Sequence, residues 1–186
     1  YPGVDVAIKT GRSSQILDMV LSEEIRVGIA RGLVHPELIT THLYDEQVVL
    51  VTHPEHPFAE TGFASVAEVA AQPMIVYDKE STYFLLIDRI CREAGIVPNI
   101  QMDLDSIEAT KRMIERGLGI SFLPFNALAR ELTLGTLAHV QLRDDHRITL
   151  PTGVMVRRAT SYGAIVKAFL DLLGELYPDL TNVRDS

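Results

Sequence analysis

The chain has 186 residues, 47% of them hydrophobic, and a formal net charge of −8 at pH 7. A chain of this size buries about 70% of its unfolded surface on folding, and its hydrophobicity excludes general disorder. Its 17 Lys and Arg residues form no basic run, so we do not expect this chain alone to bind duplex DNA. The single cysteine, Cys91, excludes an internal disulfide and a cysteine-based zinc site.

Signals for targeting or membrane insertion are missing from the sequence. No apolar run reaches the roughly 18 residues of a membrane span. The start, Tyr1-Pro2-Gly3-Val4, has neither the basic nor the apolar region of a signal peptide, and there is no initiator Met. We therefore expect a cytoplasmic protein, and a chain that is a fragment or a processed product.

Strands and helices are predicted to alternate along most of the chain. In chain order, the apolar patterns predict a strand at 4–9, a helix from Ser13, strands at 27–30 and 48–51, a helix from Ser65, a strand at 74–77, a helix after Ser81, a strand at 100–104, a helix from Asp105, a strand at 120–123, a helix through Leu128, strands at 137–142 and 154–157, and a last helix from Ser161. This order predicts an α/β fold with largely parallel sheets.

Capping residues mark several helix boundaries. Ser65 with Glu68, and Asp105 with Glu108, have the spacing of a capping box. Glycines at 95 and 117 stand where helices are expected to end. The last helix is expected to bury a wide apolar face, comprising Ile165, Val166, Phe169, Leu170 and Leu173.

Motifs for catalysis and metal binding are weak. Lys9-Thr10-Gly11 matches the KTG of serine β-lactamases, but no S-x-x-K accompanies it. Gly117-Leu118-Gly119 lacks the third glycine of a dinucleotide motif and precedes a strand. His53 and His56 could face a metal, although a rigid turn with solvated histidines is the favoured interpretation. Cys91 lies on the apolar face of its helix and is interpreted as a core residue.

Several loops between a strand and the next helix carry small polar residues. In an open α/β sheet such loops meet at the carboxyl ends of the strands, where helix N-termini offer free N–H groups and a positive dipole end. These residues could hold an anion, or they could only cap their own helices. The loops are Gly11-Arg12-Ser13, Ser81-Thr82-Tyr83, Asp105-Ser106 and Pro124-Phe125-Asn126.

An ordered set of short motifs resembles the effector-binding domain of LysR-type transcriptional regulators. The resemblance covers roughly residues 1–176. It rests on Tyr1-Pro2-Gly3-Val4, Gly11-x-Ser13, Val27-Gly28-Ile29-Ala30, Val49-Leu50-Val51 with His56-Pro57, Asp105-Ser106-Ile107-Glu108-Ala109, and Gly117-Leu118-Gly119-Ile120-Ser121-Phe122-Leu123-Pro124.

The resemblance implies a periplasmic-binding-protein-like (type 2) fold with two lobes and a central cleft. The expected lobes are residues 1–52 with 154–186, and residues 53–153, with the chain crossing near the proline-containing breaks at 53–57 and 151–153. The family's DNA-binding winged helix-turn-helix would lie N-terminal to this chain, as would the first strand and helix of the first lobe. A homodimer or tetramer is implied, with DNA contacted only through the missing domain.

A small-molecule effector is implied in the cleft, without cofactor, metal or catalysis. The implied contacts are Arg12 and Ser13 from the first lobe, and Ser81, Thr82, Tyr83, Asp105, Ser106, Pro124 and Phe125 from the second. One arginine and several hydroxyls suit a carboxylate or another oxyanion. The family's peroxide-sensing branch needs a cysteine pair and is excluded by the lone Cys91. Two alternatives remain: a solute-binding transport component with this fold, and an enzyme built on it.

Overall fold

The computed structural model describes residues 3–143, 148–159 and 161–177. The chain forms two compact units: Tyr1–Asp45 with Pro151–Ser186 is unit 1, and Glu46–Leu150 is unit 2. Two long strands, Leu38–Thr52 and Ile148–Arg157, each continue from one unit into the other. The lobe boundaries expected at the proline-containing breaks stay a prediction.

The helices are short, and the strands are mostly four to five residues long. The helices are α1 Ser13–Leu21, α2 Pro57–Thr61, α3 Val66–Ala71, α4 Thr82–Glu93, α5 Ile107–Glu115, α6 Ala129–Leu134 and α7 Ala164–Leu176, with a 3-10 turn at Phe125–Leu128. The strands are β1 Val27–Arg31, β2 Leu38–Thr52, β3 Phe63–Ala64, β4 Met74–Tyr77, β5 Ile100–Leu104, β6 Ser121–Pro124, β7 Ala138–Leu142 and β8 Ile148–Arg157. No described helix is long and apolar enough to cross a bilayer.

Unit 1 is built around the antiparallel pair β1 and β8, whose register runs from Val27 opposite Val156 to Arg31 opposite Thr152. One apolar cluster joins α1 to these strands: Ile16, Val20, Ala30, Leu38 and Met155. A Cβ on Gly28 would lie 2.8 Å from Ile16 and from Val20, so this glycine allows α1 to approach β1 closely. A second cluster joins α7 to β2 and β8 through Leu43, Val154, Val156, Leu170 and Leu173.

Unit 2 contains the larger core. Strand β2 pairs antiparallel with both β6 and β7, and β3 pairs parallel with β7. Strand β4 pairs parallel with β5 and meets Ile120 in a parallel bridge. One cluster includes Tyr83, Ile87 and Cys91 of α4. The other includes Ile114 of α5. The two helices are therefore anchored by separate apolar clusters.

The α/β class is confirmed, whereas the expectation of largely parallel sheets is wrong. The β1–β8, β2–β6 and β2–β7 ladders are antiparallel, whereas β3–β7 and β4–β5 are parallel, as is the bridge from Met74 to Ile120. Alternation of strands and helices predicts parallel sheets only if each helix returns the chain to the same sheet edge. Here the long strand β8 pairs antiparallel with β1, and the long strand β2 pairs antiparallel with β6 and β7.

The strand predicted at 4–9 is absent: residues 4–10 have no regular secondary structure. Val6 and Ile8, on its apolar side, are 77% and 83% exposed. An alternating pattern shows that a segment can present one apolar face, but a strand forms only beside a partner. Among the described residues β1 pairs on one side only, with β8, and no strand pairs with residues 4–10.

The face that α7 buries is narrower than predicted. Leu170 and Leu173 are buried, but Ile165 is 63% exposed and Phe169 is 40% exposed. Leu172 and Leu176 are exposed on the same side of the helix. The apolar face of α7 therefore extends well beyond the part that packs in unit 1.

Most other predicted elements are confirmed. The capping box between Ser65 and Glu68 is present at the start of α3. Gly95 and Gly117 have φ of +70° and +69°, the left-handed conformation that ends α4 and α5. Gly119 is needed for another reason, because a Cβ there would lie 2.5 Å from the carbonyl oxygen of Pro73.

Candidate functional site

Strands β4 and β5 are parallel, so their carboxyl ends lie at one edge of the sheet, and Ile120, just before β6, joins β4 in a single parallel bridge. Strand β4 is in the centre, between β5 and the segment that leads into β6. The loops that follow these strands carry Ser81, Thr82 and Tyr83, then Asp105 and Ser106, then Pro124 and Phe125. We call these seven residues the strand-end cluster. The structure therefore places the unit 2 candidates after the carboxyl ends of these strands, and their joint role in one ligand site stays a prediction.

Hydrogen bonds connect the first two loops directly. The N–H of Asp78 donates to the carbonyl oxygen of Leu104 at 2.8 Å. The N–H of Lys79 donates to Oδ1 of Asp103 at 3.3 Å. These contacts hold the start of α4 next to the start of α5.

Ser81 acts as the cap of α4. Its Oγ accepts the N–H of Phe84 at 3.2 Å and donates to the carbonyl oxygen of Tyr77 at 2.9 Å. The side chain is buried, at 8% exposure. Because the single hydroxyl proton already has an acceptor, Ser81 can donate to a ligand only by giving up this bond.

Thr82 has a different environment from its neighbour. It is the first residue of α4 and is half-buried. Neither its hydroxyl nor its N–H has a hydrogen-bond partner among the described residues. Two donors at the positive end of the α4 dipole are thus available to an acceptor.

Tyr83 is buried beneath this turn. Its hydroxyl donates to Oε2 of Glu46 at 2.5 Å, and its ring lies 6.1 Å from the ring of Tyr77. Both Tyr83 and Glu46 are 6% exposed. Sequence patterns did not indicate Glu46, because the strand predicted at 48–51 begins, in the structure, ten residues earlier at Leu38.

The start of α5 differs from the prediction in its capping residue. Ser106, and not Asp105, caps this helix: its Oγ accepts the N–H of Ala109 at 3.3 Å. Asp105 is exposed, so its carboxylate faces solvent at the same sheet edge. The pattern D-S-x-E places two good capping residues side by side, and the pattern alone cannot decide which one the backbone uses.

Pro124 and Phe125 form the third part of the strand-end cluster. Pro124 is buried at the end of β6, and Phe125 is 40% exposed. The ring of Phe125 lies 6.0 Å from that of His139, in an edge-to-face arrangement. Burial lowers the pKa of His139, so the neutral ring is favoured beside Phe125.

Asp78 is a residue of this region that sequence analysis did not identify. It is 8% exposed and adopts φ of +52°. Its Oδ1 accepts the N–H of Glu80 at 3.1 Å, and its carbonyl oxygen accepts the N–H of Ser81 at 2.8 Å. The tight turn between β4 and α4 is thus fixed before any ligand arrives. An Asp just after a strand is a weak turn signal in the sequence.

Arg12 and Ser13 lie in unit 1. The Oγ of Ser13 accepts the N–H of Arg31 at 3.2 Å, which ties α1 to the end of β1. Arg12, at the N-cap position of α1, has an exposed side chain, and its N–H donates to Oε1 of Gln15 at 2.8 Å. Ser13 is therefore inside the helix and does not cap it, contrary to the prediction.

Metal and redox chemistry find little support in the described ranges. They contain no group of three or more His, Cys, Asp or Glu side chains that could hold a metal ion. His56 caps α2 by accepting the N–H of Phe58 on Nδ1 at 3.1 Å. Cys91 is 3% exposed, and burial followed by the nearby Asp88 raises the pKa of its thiol. A small apolar recess beside α4 has room for about one water molecule.

Two curated relatives can be aligned with most of the length of this chain. The chain is 30% identical over 171 residues to the HTH-type transcriptional regulator GltR of Bacillus subtilis (strain 168). The aligned residues cover 91% of this chain and 56% of that protein. It is 28% identical over 168 residues to the probable RuBisCO transcriptional regulator of Guillardia theta, 87% of this chain and 51% of that protein. The chain thus spans about half the length of the curated relatives it matches.

Solved structures share the fold. The Synechocystis PCC6803 CcmR regulatory domain in complex with 2-PG matches with a TM-score of 0.86 and 23% identity, covering 98% of this chain and 86% of that one. The effector binding domain of QuiR in complex with shikimate matches with a TM-score of 0.79 and 18% identity, and the match covers 90% of this chain and 79% of that one. The type 2 periplasmic-binding-like fold is thereby confirmed. The family described as "LysR substrate binding domain" matches residues 1–178, and the chain therefore belongs to this family.

Proposed function

We propose that this chain is the ligand-sensing part of a bacterial transcriptional regulator and that a small oxyanionic metabolite binds at the strand-end cluster. Family membership supports a domain that binds and does not catalyse. The observation that carries the site is Thr82, whose hydroxyl and N–H lack partners among the described residues at the N-terminus of α4. Hydrogen bonds to a charged acceptor are shorter and stronger than neutral ones.

The class of ligand follows from the groups around Thr82. A carboxylate or phosphate would accept the two donors of Thr82 and face the α4 dipole. The exposed carboxylate of Asp105 offers only an acceptor at the same edge, which favours a ligand that also carries hydroxyl or amino groups. The QuiR domain supports this class, since shikimate, with which it was solved, is a carboxylate that also carries hydroxyl groups.

In the whole regulator, we propose that effector occupancy shifts the balance between arrangements of a dimer or tetramer, in the cytoplasm. Such a shift can be only as large as the difference in effector affinity between the two states. We propose that DNA contacts belong to a helix-turn-helix segment outside this chain. The acidic charge of −8 supports this division, because phosphate affinity needs clustered cations.

The test compares two adjacent residues with different bonds. Wild type is screened by thermal shift against benzoate, shikimate and inorganic phosphate, and each binder is then titrated by calorimetry. Thr82→Val should weaken binding about 10- to 150-fold, the cost of losing a hydrogen bond to a charged group, with little change in stability. Ser81→Ala should lower the free energy of unfolding by about 1 kcal/mol, because it removes the cap of α4.

A matched control uses a threonine elsewhere in unit 2. Thr133 of α6 has a hydroxyl that donates to the carbonyl oxygen of Ala129 at 2.7 Å, and Thr133→Val should leave affinity unchanged. Wild-type affinity in both Thr82→Val and Ser81→Ala would place the ligand elsewhere.

The residues of unit 1 need a separate test. Arg12→Ala would remove a cation without altering the bond between Ser13 and Arg31, so a loss of affinity would assign Arg12 to the ligand. An unchanged affinity would leave Arg12 as a surface side chain.

A further inference from the structure

A buried carboxylate and a buried phenol meet in unit 2, next to the proposed ligand turn. The hydroxyl of Tyr83 donates a hydrogen bond to Oε2 of Glu46 at 2.5 Å, and this bond is buried. Glu46 is on β2, and Tyr83 is the second residue of α4, 37 positions later. The ring of Tyr83 packs in the same apolar cluster as Val48 and Leu50 of β2.

This bond limits what Tyr83 can do for a ligand. A phenol has one O–H proton, and here that proton is given to a carboxylate. Its ring is 94% buried, so it offers a ligand little surface. Its role next to Thr82 is therefore to fix the first turn of α4 against β2. Hydrogen bonds to ionised groups are among the stronger ones in proteins.

We propose that Glu46 is a positioning residue for the ligand turn, acting through Tyr83. The inference rests on the proposed function for the identity of the ligand turn. Glu46 is also the first residue of unit 2, on the strand that continues from unit 1. The affinity of Thr82 for an oxyanion is thus tied to the placement of β2, and occupancy of Thr82 in turn stabilises that placement, because thermodynamic coupling is reciprocal.

The first measurement needs no ligand. The N–H groups of Phe84 and Leu85 donate to Oγ and to the carbonyl oxygen of Ser81, so their hydrogen exchange reports opening of the first turn of α4. Tyr83→Phe keeps the ring but loses the hydroxyl, and exchange at both amides should become about 10-fold faster or more. Exchange at Ala109, in the first turn of α5, should stay unchanged.

A matched control removes another hydroxyl from the same cluster. The ring of Tyr77 packs against Tyr83, and within the described residues its hydroxyl has no hydrogen-bond partner. Tyr77→Phe should leave exchange at Phe84 and Leu85 at wild-type rates. Glu46→Gln keeps an acceptor for the phenol and should preserve most of the protection. Glu46→Met removes the acceptor and should match Tyr83→Phe, which provides a second variant if the first is unstable.

The second measurement uses inorganic phosphate as the probe, in calorimetric titrations of the same variants. Tyr83→Phe and Glu46→Met should weaken phosphate binding about 5-fold or more, and Tyr77→Phe and Glu46→Gln should stay near wild type. If wild type binds none of phosphate, benzoate and shikimate, the proposed ligand class is wrong, while the exchange data still decide the role of Glu46. Wild-type exchange in both Tyr83→Phe and Glu46→Met, or equal losses in Tyr77→Phe, would overturn the proposal.

Discussion

Ser81 and Thr82 show how much a single step along the chain changes the chemistry of a hydroxyl. The hydroxyl of Ser81 makes two hydrogen bonds, to Tyr77 and Phe84, and the hydroxyl of Thr82 makes none among the described residues. The sequence suggested both as ligand contacts because both follow a strand and open a helix. It could not assign their bonds, because the cap is chosen by the backbone geometry of the turn, which Asp78 sets with φ of +52°.

Cys91 should be chemically inert in the native protein. Its thiol is buried in the core beneath α4, and burial raises its pKa, so little of the reactive thiolate forms at pH 8. We expect a thiol reagent such as DTNB to react about 100-fold more slowly with the folded protein than with the protein in denaturant, because reaction requires local opening. Rapid native reaction would show that α4 opens easily and would contradict the packing described above.

At the scale of elements, one buried lysine joins α5 to α6 and to the 3-10 turn before it. Nζ of Lys111 lies 3.0 Å from Oε1 of Glu131, 2.6 Å from Oε1 of Glu108 and 3.1 Å from the carbonyl oxygen of Ala127. Burial alone would lower the pKa of Lys111, but bonds to Glu108 and Glu131 outweigh it and raise the pKa. Lys111 is 6% exposed, so its charge depends on these partners.

Lys111→Met should cost about 3–5 kcal/mol in the free energy of unfolding, because it removes the cation that is hydrogen-bonded to the buried Glu131. Glu108 is 71% exposed, so Glu108→Ala should cost at most about 1 kcal/mol. Denaturant titrations of Lys111→Met and Glu108→Ala measure these two losses. Equal losses would mean that the exposed carboxylate contributes as much as the buried one.

Gly119 allows the segment before β6 to lie against β4. A Cβ on this residue would meet the carbonyl oxygen of Pro73 at 2.5 Å, and the backbone there cannot move aside without breaking the bond from Ile120 to Pro73. Gly119→Ala should therefore lower the free energy of unfolding by about 2 kcal/mol or more. Gly163→Ala, at the N-cap of α7 with nothing within 4 Å, is the control and should lower it by only about 0.5–1 kcal/mol.

Element identity was largely predictable from the sequence, and pairing was not. Strand β4 and helix α4 have the predicted bounds to within one residue, because local periodicity and Ser81 define them. Residues 4–9 have an equally good strand pattern but stay unpaired, since a ladder needs a neighbour that no local pattern can supply. The same reason applies to Ile165 and Phe169, whose apolar character does not say whether anything covers them.

At the scale of the whole molecule, stability should decrease as the pH falls below about 6.5. Burial lowers the pKa of His56 and of His139 in the folded state below the ordinary value of 6.5. As the pH falls below 6.5, the two histidines take up protons in the unfolded chain before they do so in the folded protein. Their contribution to the free energy of unfolding is therefore fully present above pH 6.5 and is lost as the pH drops through their folded-state pKa.

Thermal unfolding measured between pH 7.5 and 5.5 checks this expectation. The double variant His56→Asn with His139→Gln should show a smaller decrease than wild type, because Asn keeps an acceptor for the cap of α2 and neither replacement titrates. An identical decrease in both proteins would assign the pH dependence to other groups.

The order in which the two units become complete during synthesis follows from their connectivity. Unit 2 is one continuous stretch, Glu46–Leu150, whereas unit 1 needs its beginning and its end. Strand β1 cannot pair until β8 has left the ribosome, because all of unit 2 is made between them. A nascent chain should therefore contain a folded unit 2 while β1, Val27–Arg31, and α1 are not yet packed against β8. Chaperone binding or proteolysis at that stage should act on residues 1–45 of this chain.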